Sequence, residues 1–147
     1  GLDLAGNEYS VSICAKDSSG PYNYELTTKL IELAKNNKLN YVVDIFPYYS
    51  SDVSASLRSG LDCKGALIGS GVCASHGMER THLDGLFNTM KLLYLYLLYT
   101  AIIFVLSLTL KLNLVIKHDI IKIIIKLHGI INAILKTFLN VVFKKVL

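Results

Sequence analysis

The run EYSVSICAKDSSGPYNYELTTKLIELAKNN, residues 8–37, contains a strand, a loop and a helix in that order. Residues 8–16 include β-branched and small apolar residues that favour a strand. A Gly-Pro pair then indicates a loop. Apolar residues recur at helical spacing over residues 24–37, and Asn23 is suited to the N-cap position. This segment therefore predicts the strand-then-helix unit of an α/β fold.

The same alternation continues along the chain. Ser51 is placed to cap a short helix, and Thr81 with Asp84 forms a capping-box-like start of the last helix. We predict a strand over residues 40–46, a short helix over 52–59, a third strand over 64–69 and a helix from about 81. The order β-α-β-α-β-α favours parallel strands with helices packed on the sheet.

In a parallel sheet, ligands bind beyond the carboxyl ends of the strands. The loops at residues 17–23, 47–51 and 69–81 each follow a predicted strand. We therefore expect the three loops to face a common site.

The third loop contains SHGMERTH, residues 75–82, which holds two of the four histidines of the chain. The histidines are six residues apart, which on a helix separates them by roughly 120°. The zinc-binding H-E-x-x-H pattern needs a spacing of four. His76 is therefore either a separate metal ligand or a loop histidine bonded to a carbonyl group, and His82 falls in the first turn of the last helix.

Two acidic residues, Asp3 and Asp52, can likewise be interpreted as site residues or as purely structural residues. Asp3 lies between Leu2 and Leu4, and a carboxylate in an apolar strand is unfavourable unless it is paired or bound to a cation. Its alternative role is to cap a loop at the strand end. Asp52 follows Ser51 at the start of the short helix, where its carboxylate would interact favourably with the positive end of the helix dipole.

Charge and cysteine content exclude some classes of protein. Residues 1–94 contain eight Lys/Arg against ten Asp/Glu, whereas residues 95–147 contain seven Lys and one Asp. The lysines are dispersed among aliphatic residues, which argues against nucleic-acid binding. The three cysteines form no C-x-x-C pair. This favours a reducing compartment, and we expect a cytoplasmic protein.

The C-terminal part, residues 98–147, differs from the rest and is predicted to be an aliphatic, lysine-containing helical tail. Residues 92–110 carry no charge and are long enough to span a hydrocarbon layer of roughly 30 Å. Three interpretations are open. The tail is a membrane or interaction segment, a packed soluble element, or the product of a frameshift or read-through into AT-rich DNA, which encodes Ile, Leu, Lys and Asn.

Residues 1–97 resemble the C-terminal part of the catalytic domain of the glutamyl/deblocking aminopeptidases, peptidase family M forty-two. The resemblance is carried by AKDSSGPYNYELTTKLIELAKNN, DIFPYYSSDVSASLRSG and GALIGSGVCASHGMERTHLDGLFNTMKLLYLYL. It implies an α/β three-layer sandwich, peptide substrates and tetrahedral homo-oligomers. It also implies removal of N-terminal residues with two divalent metal ions, Zn, Co or Mn. By this resemblance Asp3 and His76 are metal ligands, and Ser51 and Asp52 line the substrate cleft.

The family also needs an earlier histidine, a bridging aspartate and a pair of glutamates that supply the general base and a further ligand. The resemblance places all of these before Gly1. We therefore expect no catalytic residue in this chain and no activity from the chain alone. The alternative is a non-enzymatic remnant that is tethered to a membrane, or binds a helical partner, through residues 92–147.

Overall fold

A computed structural model describes residues 5–111, 121–133 and 136. The helices and strands are β1 (Val11–Asp17), β2 (Gly20–Pro21), α1 (Tyr24–Asn36), β3 (Tyr41–Phe46), α2 (Asp52–Arg58), β4 (Leu67–Ser70) and α3 (Leu83–Lys111). Residues 121–133 are also helical. The predicted α/β class is confirmed.

The sheet is mixed, with β1 at its centre. β3 runs parallel to β1, with Val11 opposite Tyr41, whereas β4 runs antiparallel to β1, with Val11 opposite Ser70. The prediction that all three long strands are parallel was therefore wrong. After β3 the chain stays at the carboxyl end of β1, where the Gly65 carbonyl accepts the Asn23 N–H at 3.0 Å. β4 consequently enters the sheet from that end and runs the opposite way.

A short strand was missed in the loop predicted over residues 17–23. β2 pairs antiparallel with the end of β1, with Asp17 opposite Gly20. Gly20 has a φ of 131°, a conformation that residues with a Cβ rarely adopt. This glycine permits the tight turn that brings the chain back against β1.

Helix α1 starts as the sequence predicts. The Asn23 side chain accepts the Leu26 N–H at 3.0 Å and so satisfies one of the unpaired donors of the first turn.

Replacing Asn23 with alanine should lower the free energy of unfolding by about 1 kcal/mol, because that cap bond is lost. Asn36→Ala, an exposed change at the other end of α1, is the matched control and should change it by less than about 0.5 kcal/mol. Denaturant titration followed by circular dichroism measures both values. Equal values for the two variants would contradict the capping role.

Helix α3 starts differently from the prediction. The Thr81 hydroxyl donates to the Gly71 carbonyl at 2.6 Å, so it does not cap the helix. The His82 ring takes that role, because its Nδ1 accepts the Asp84 N–H at 3.2 Å. The predicted Thr81–Asp84 capping box was wrong, since the hydroxyl is committed to the preceding loop.

The core lies between one face of the sheet and helices α1 and α3. Its buried members are Val11, Ile13, Leu30, Ala34, Leu39 and Leu92. Leu92 is fully buried and joins α3 to this core. The other face of the sheet is left for the cleft described below.

The chain divides into two compact units, residues 1–97 and 98–147. Within the second unit, aliphatic side chains and His128 line an apolar groove of about 310 Å³. The stretch Leu83–Leu110 of α3 is long and apolar enough to cross a membrane, judged by length and composition only. Core helices of soluble proteins can meet the same criterion, so this stretch is weak evidence for a membrane span.

Candidate active-site cleft

A cleft of about 300 Å³ lies on the face of the sheet opposite the core. β1 and β3 supply its floor through Ser12, Asp44 and Phe46. The residues before β1, the end of β4 and the segments after β3 and β4 supply its walls, which are Gly6, Tyr49, Ser50, Ser70, Gly71, Val72, Ser75 and His76. Hydroxyls, one carboxylate and one imidazole therefore surround this space.

His76 is held at the cleft by the backbone of its loop. Its φ is 65°, and its N–H donates to Glu79 Oε1 at 3.1 Å. Two backbone hydrogen bonds between Cys73 and Arg80 close the base of the loop. A non-glycine residue in the left-handed region persists where surrounding bonds impose it, and such residues cluster at functional sites.

The ring of His76 stacks on Tyr49, with ring centroids 5.3 Å apart and an interplanar angle of 20°. Within residues 5–111, no side-chain hydrogen bond to the His76 imidazole is found. Because stacking covers only a ring face, the in-plane lone pair of the neutral imidazole stays accessible to a ligand.

His82 has a different environment, and the two histidines are not brought together as a pair. Its ring packs against Tyr9 at 4.6 Å, and its Nδ1 caps α3. The expectation that His82 belongs to the helix start is confirmed by this bond.

Sequence reasoning missed Asp44, which lies in the floor of the cleft. It is 5% exposed and accepts the backbone N–H groups of Ala5 and Gly6, each at 3.0 Å. The Ser12 hydroxyl donates to it at 3.4 Å. The sequence did contain a sign of this residue's role, because a carboxylate within the apolar run NYVVDIF needs a partner.

Ser51 and Asp52 begin α2 and are not among the residues that line the cleft. The Ser51 hydroxyl accepts the Ser54 N–H at 3.2 Å and lies 2.6 Å from the Tyr22 hydroxyl. Asp52 lies in the first turn of α2, where a carboxylate interacts favourably with the positive end of the helix dipole. Their neighbour Ser50 is the cleft residue.

Asp17 is the centre of a buried cluster next to this loop. It is 1% exposed and accepts hydrogen bonds from the Ser54 hydroxyl at 2.6 Å, the Tyr22 hydroxyl at 2.8 Å and the Ser19 N–H at 2.7 Å. Burial alone would raise the pKa of Asp17, but these hydrogen bonds outweigh it and hold the pKa below its ordinary value.

A carboxylate whose pKa is lowered by folding stabilises the folded state above its unfolded pKa of about 3.9. That contribution is lost as the pH falls through the lower folded pKa. We expect the free energy of unfolding to fall as the pH drops from about 5 through the lowered folded pKa of Asp17, and Asp17→Asn to reduce the slope. Denaturant titrations at several pH values measure both. An unchanged slope in the variant would assign the pH dependence to other groups.

Two of the three predicted loops, those at residues 47–51 and 69–81, line the cleft, whereas none of residues 17–23 is among its lining residues. The segment after β4 leaves the opposite end of the sheet, where the Gly71 N–H donates to Ser10 O at 3.1 Å. It then returns over the sheet until His76 reaches Tyr49. The Ser18 N–H in turn donates to Tyr49 O at 3.0 Å, which connects the first loop to the second.

The fit of these residues to divalent metal ions is partial. In the part of the chain that the structure describes, no group of three or more His, Cys, Asp or Glu side chains is placed to hold an ion. His76 fits a single-ligand role, because its ring is at the cleft and its nitrogens are free of side-chain bonds in that part. Asp3, the other predicted ligand, lies outside the described residues.

Comparisons with known proteins agree on one family. The family model described as M42 glutamyl aminopeptidase matches residues 4–92. The Bacillus subtilis (strain 168) protein named "Putative aminopeptidase YhfE" is 54% identical over 92 residues, which are 63% of this chain and 27% of that protein. This chain therefore spans about a quarter of the length of that relative.

Two solved structures share the fold. PhTET1-12s, a dodecamer, aligns with a TM-score of 0.53 at 21% identity, over 65% of this chain and 27% of that one. A TET aminopeptidase from the marine sediment archaeon Thaumarchaeota archaeon SCGC AB-539-E09 aligns with a TM-score of 0.52 at 16% identity, over 58% and 24%. At these identities the alignments establish the fold. The family model covers more than half of the sequence, and the chain therefore belongs to the M42 glutamyl aminopeptidase family.

Proposed function

We propose that this chain is a segment of a metal-dependent aminopeptidase that removes N-terminal residues from peptides. The observation that carries the proposal is the family match over residues 4–92 together with the position of His76 at the cleft. His76 is one metal ligand in this proposal, and Asp3 is a ligand of the second ion.

In the same proposal, the remaining site residues belong to a part of the complete protein outside these 147 residues. Two observations support this. The chain spans 27% of its curated relative, and residues 5–111 hold no cluster of ligands. Divalent ions in the completed site would supply Lewis-acid activation of water and of the scissile carbonyl. Zn, Co and Mn all suit imidazole and carboxylate ligands.

In this proposal, the residues of this chain bind the peptide substrate and orient the metal ligands. Asp44 fixes the backbone at Ala5 and Gly6, two and three residues after Asp3. Ser50 and Ser75 line the cleft, and in this proposal their hydroxyls bond the bound peptide. Ser51 and Asp52 stay proposed cleft residues of the completed protein and act here as the start of α2.

Assembly and location are part of the same proposal. PhTET1-12s, which shares the fold, is a dodecamer, and we propose that the complete form of this protein is a homo-oligomer in the cytoplasm. The match to a peptidase family favours this function over a membrane-tethered or helix-interaction remnant.

A graft tests the function. Residues 1–92 of this chain replace the corresponding segment of the Bacillus subtilis relative, and peptide hydrolysis is measured with Zn, Co or Mn added. The unmodified relative is the reference, and the isolated 147-residue chain is the negative control. We expect hydrolysis by the graft and none by the isolated chain. An inactive but folded graft, beside an active reference, would contradict the proposal.

A further inference from the structure

We infer that Tyr49 is a positioning residue that holds the His76 imidazole in the orientation needed for metal binding. The inference rests on the proposed function, in which His76 is a ligand. The juxtaposition that carries it is the ring stack, with centroids 5.3 Å apart and planes inclined by 20°.

Tyr49 is itself held in place. Its carbonyl accepts the Ser18 N–H at 3.0 Å, and its N–H donates to Phe46 O at 3.4 Å. Two residues later, the buried Asp17 cluster anchors Ser51 through the Tyr22 hydroxyl. The ring of Tyr49 therefore projects from a backbone that is bonded on both sides.

The backbone of His76 is also fixed, by its N–H bond to Glu79 and by the bridge between Cys73 and Arg80. Its side chain is exposed and its ring lacks side-chain hydrogen bonds within residues 5–111. In metal sites a histidine ring is usually oriented by a hydrogen bond from its second nitrogen. Here the aromatic contact takes that orienting role in the described part of the chain.

Stacking suits a ligand, because a metal ion binds in the plane of the imidazole through a nitrogen lone pair. A partner on the ring face restricts rotation of the ring and blocks neither nitrogen. Aromatic pairs contribute about 0.5–1.5 kcal/mol beyond their burial. That energy corresponds to a two- to tenfold change in the population of the competent ring orientation.

The test uses the full 147-residue chain with ¹³C-labelled histidine rings, studied by NMR. Tyr49→Leu removes the aromatic ring, Tyr49→Phe keeps it, and Tyr48→Leu changes the 79%-exposed neighbour as a matched control. His76→Ala assigns the His76 signals. Side-chain couplings report the rotamer of His76 in this chain without metal. Co²⁺ titration is done on the graft into the Bacillus subtilis relative, where the proposed function places the other ligands, and it reports the concentration that half-saturates the site.

We expect Tyr49→Leu to average the His76 couplings and to raise the half-saturating Co²⁺ concentration two- to tenfold. Tyr49→Phe should stay within twofold of the starting protein, and Tyr48→Leu should change neither quantity. Unchanged His76 couplings in Tyr49→Leu would overturn the inference, whatever the metal result. Averaged couplings with no Co²⁺ effect at His76 would support the positioning contact and count against the proposed metal role.

Discussion

Asp17→Ala should lower the free energy of unfolding by about 3 kcal/mol, one of the two largest effects we expect from a single substitution. The variant leaves the Ser54 hydroxyl, the Tyr22 hydroxyl and the Ser19 N–H without their acceptor. Asp17 is 1% exposed, so water does not readily replace the lost carboxylate. Hydrogen bonds to charged groups contribute about 1.5–3 kcal/mol each, and the loss is limited because the Tyr22 hydroxyl keeps Ser51 as a partner.

Denaturant titration followed by circular dichroism measures this loss. Asp62→Ala, at an exposed aspartate, is the control and should change the free energy of unfolding by less than about 0.5 kcal/mol. A loss below about 1 kcal/mol for Asp17→Ala would show that the cluster does not hold β1 to α2.

Gly71→Ala should also destabilise the protein by about 3 kcal/mol, since overpacking against backbone atoms leaves little room for relaxation. A Cβ at Gly71 would lie 1.9 Å from the Asn7 carbonyl oxygen and 2.5 Å from its carbon. Either the segment before β1 or the loop that carries His76 must move. The change therefore alters the cleft as well as the stability.

Gly69→Ala is the matched control within β4, because a Cβ there meets no atom within 4 Å. We expect Gly69→Ala to change the free energy of unfolding by less than about 1 kcal/mol, and amide spectra of the His76 loop to shift only in Gly71→Ala. Similar unfolding curves for the two alanine variants would contradict the close approach at Gly71.

Local features of the fold were predictable because each has a local cause. The caps at Asn23 and Ser51 are side-chain bonds within three residues, and both are present in the structure. The direction of β4 was not predictable in this way, because it depends on the end of the sheet at which the segment after α2 meets β1. The alternation of strands and helices favoured a parallel β4, whereas β4 is antiparallel to β1.

In the candidate site, too, features with a local cause were predictable and features that depend on distant segments were not. His76 could be singled out from its loop and from the family resemblance, whereas its stack on Tyr49 arises from a segment that folds back over the sheet. Asp44 carried a usable signal in its apolar strand, but its partners at Ala5 and Gly6 are distant in sequence. Thr81 was misread because its hydroxyl has a partner ten residues away.

Metal content tests the central claim most directly. The graft of residues 1–92 into the Bacillus subtilis relative is purified, with and without His76→Ala, and bound Zn, Co and Mn are measured by elemental analysis against protein concentration. We predict that the graft retains divalent metal and that His76→Ala retains less while unfolding at the same denaturant concentration. Equal metal content in the two proteins would contradict the assignment of His76 as a ligand.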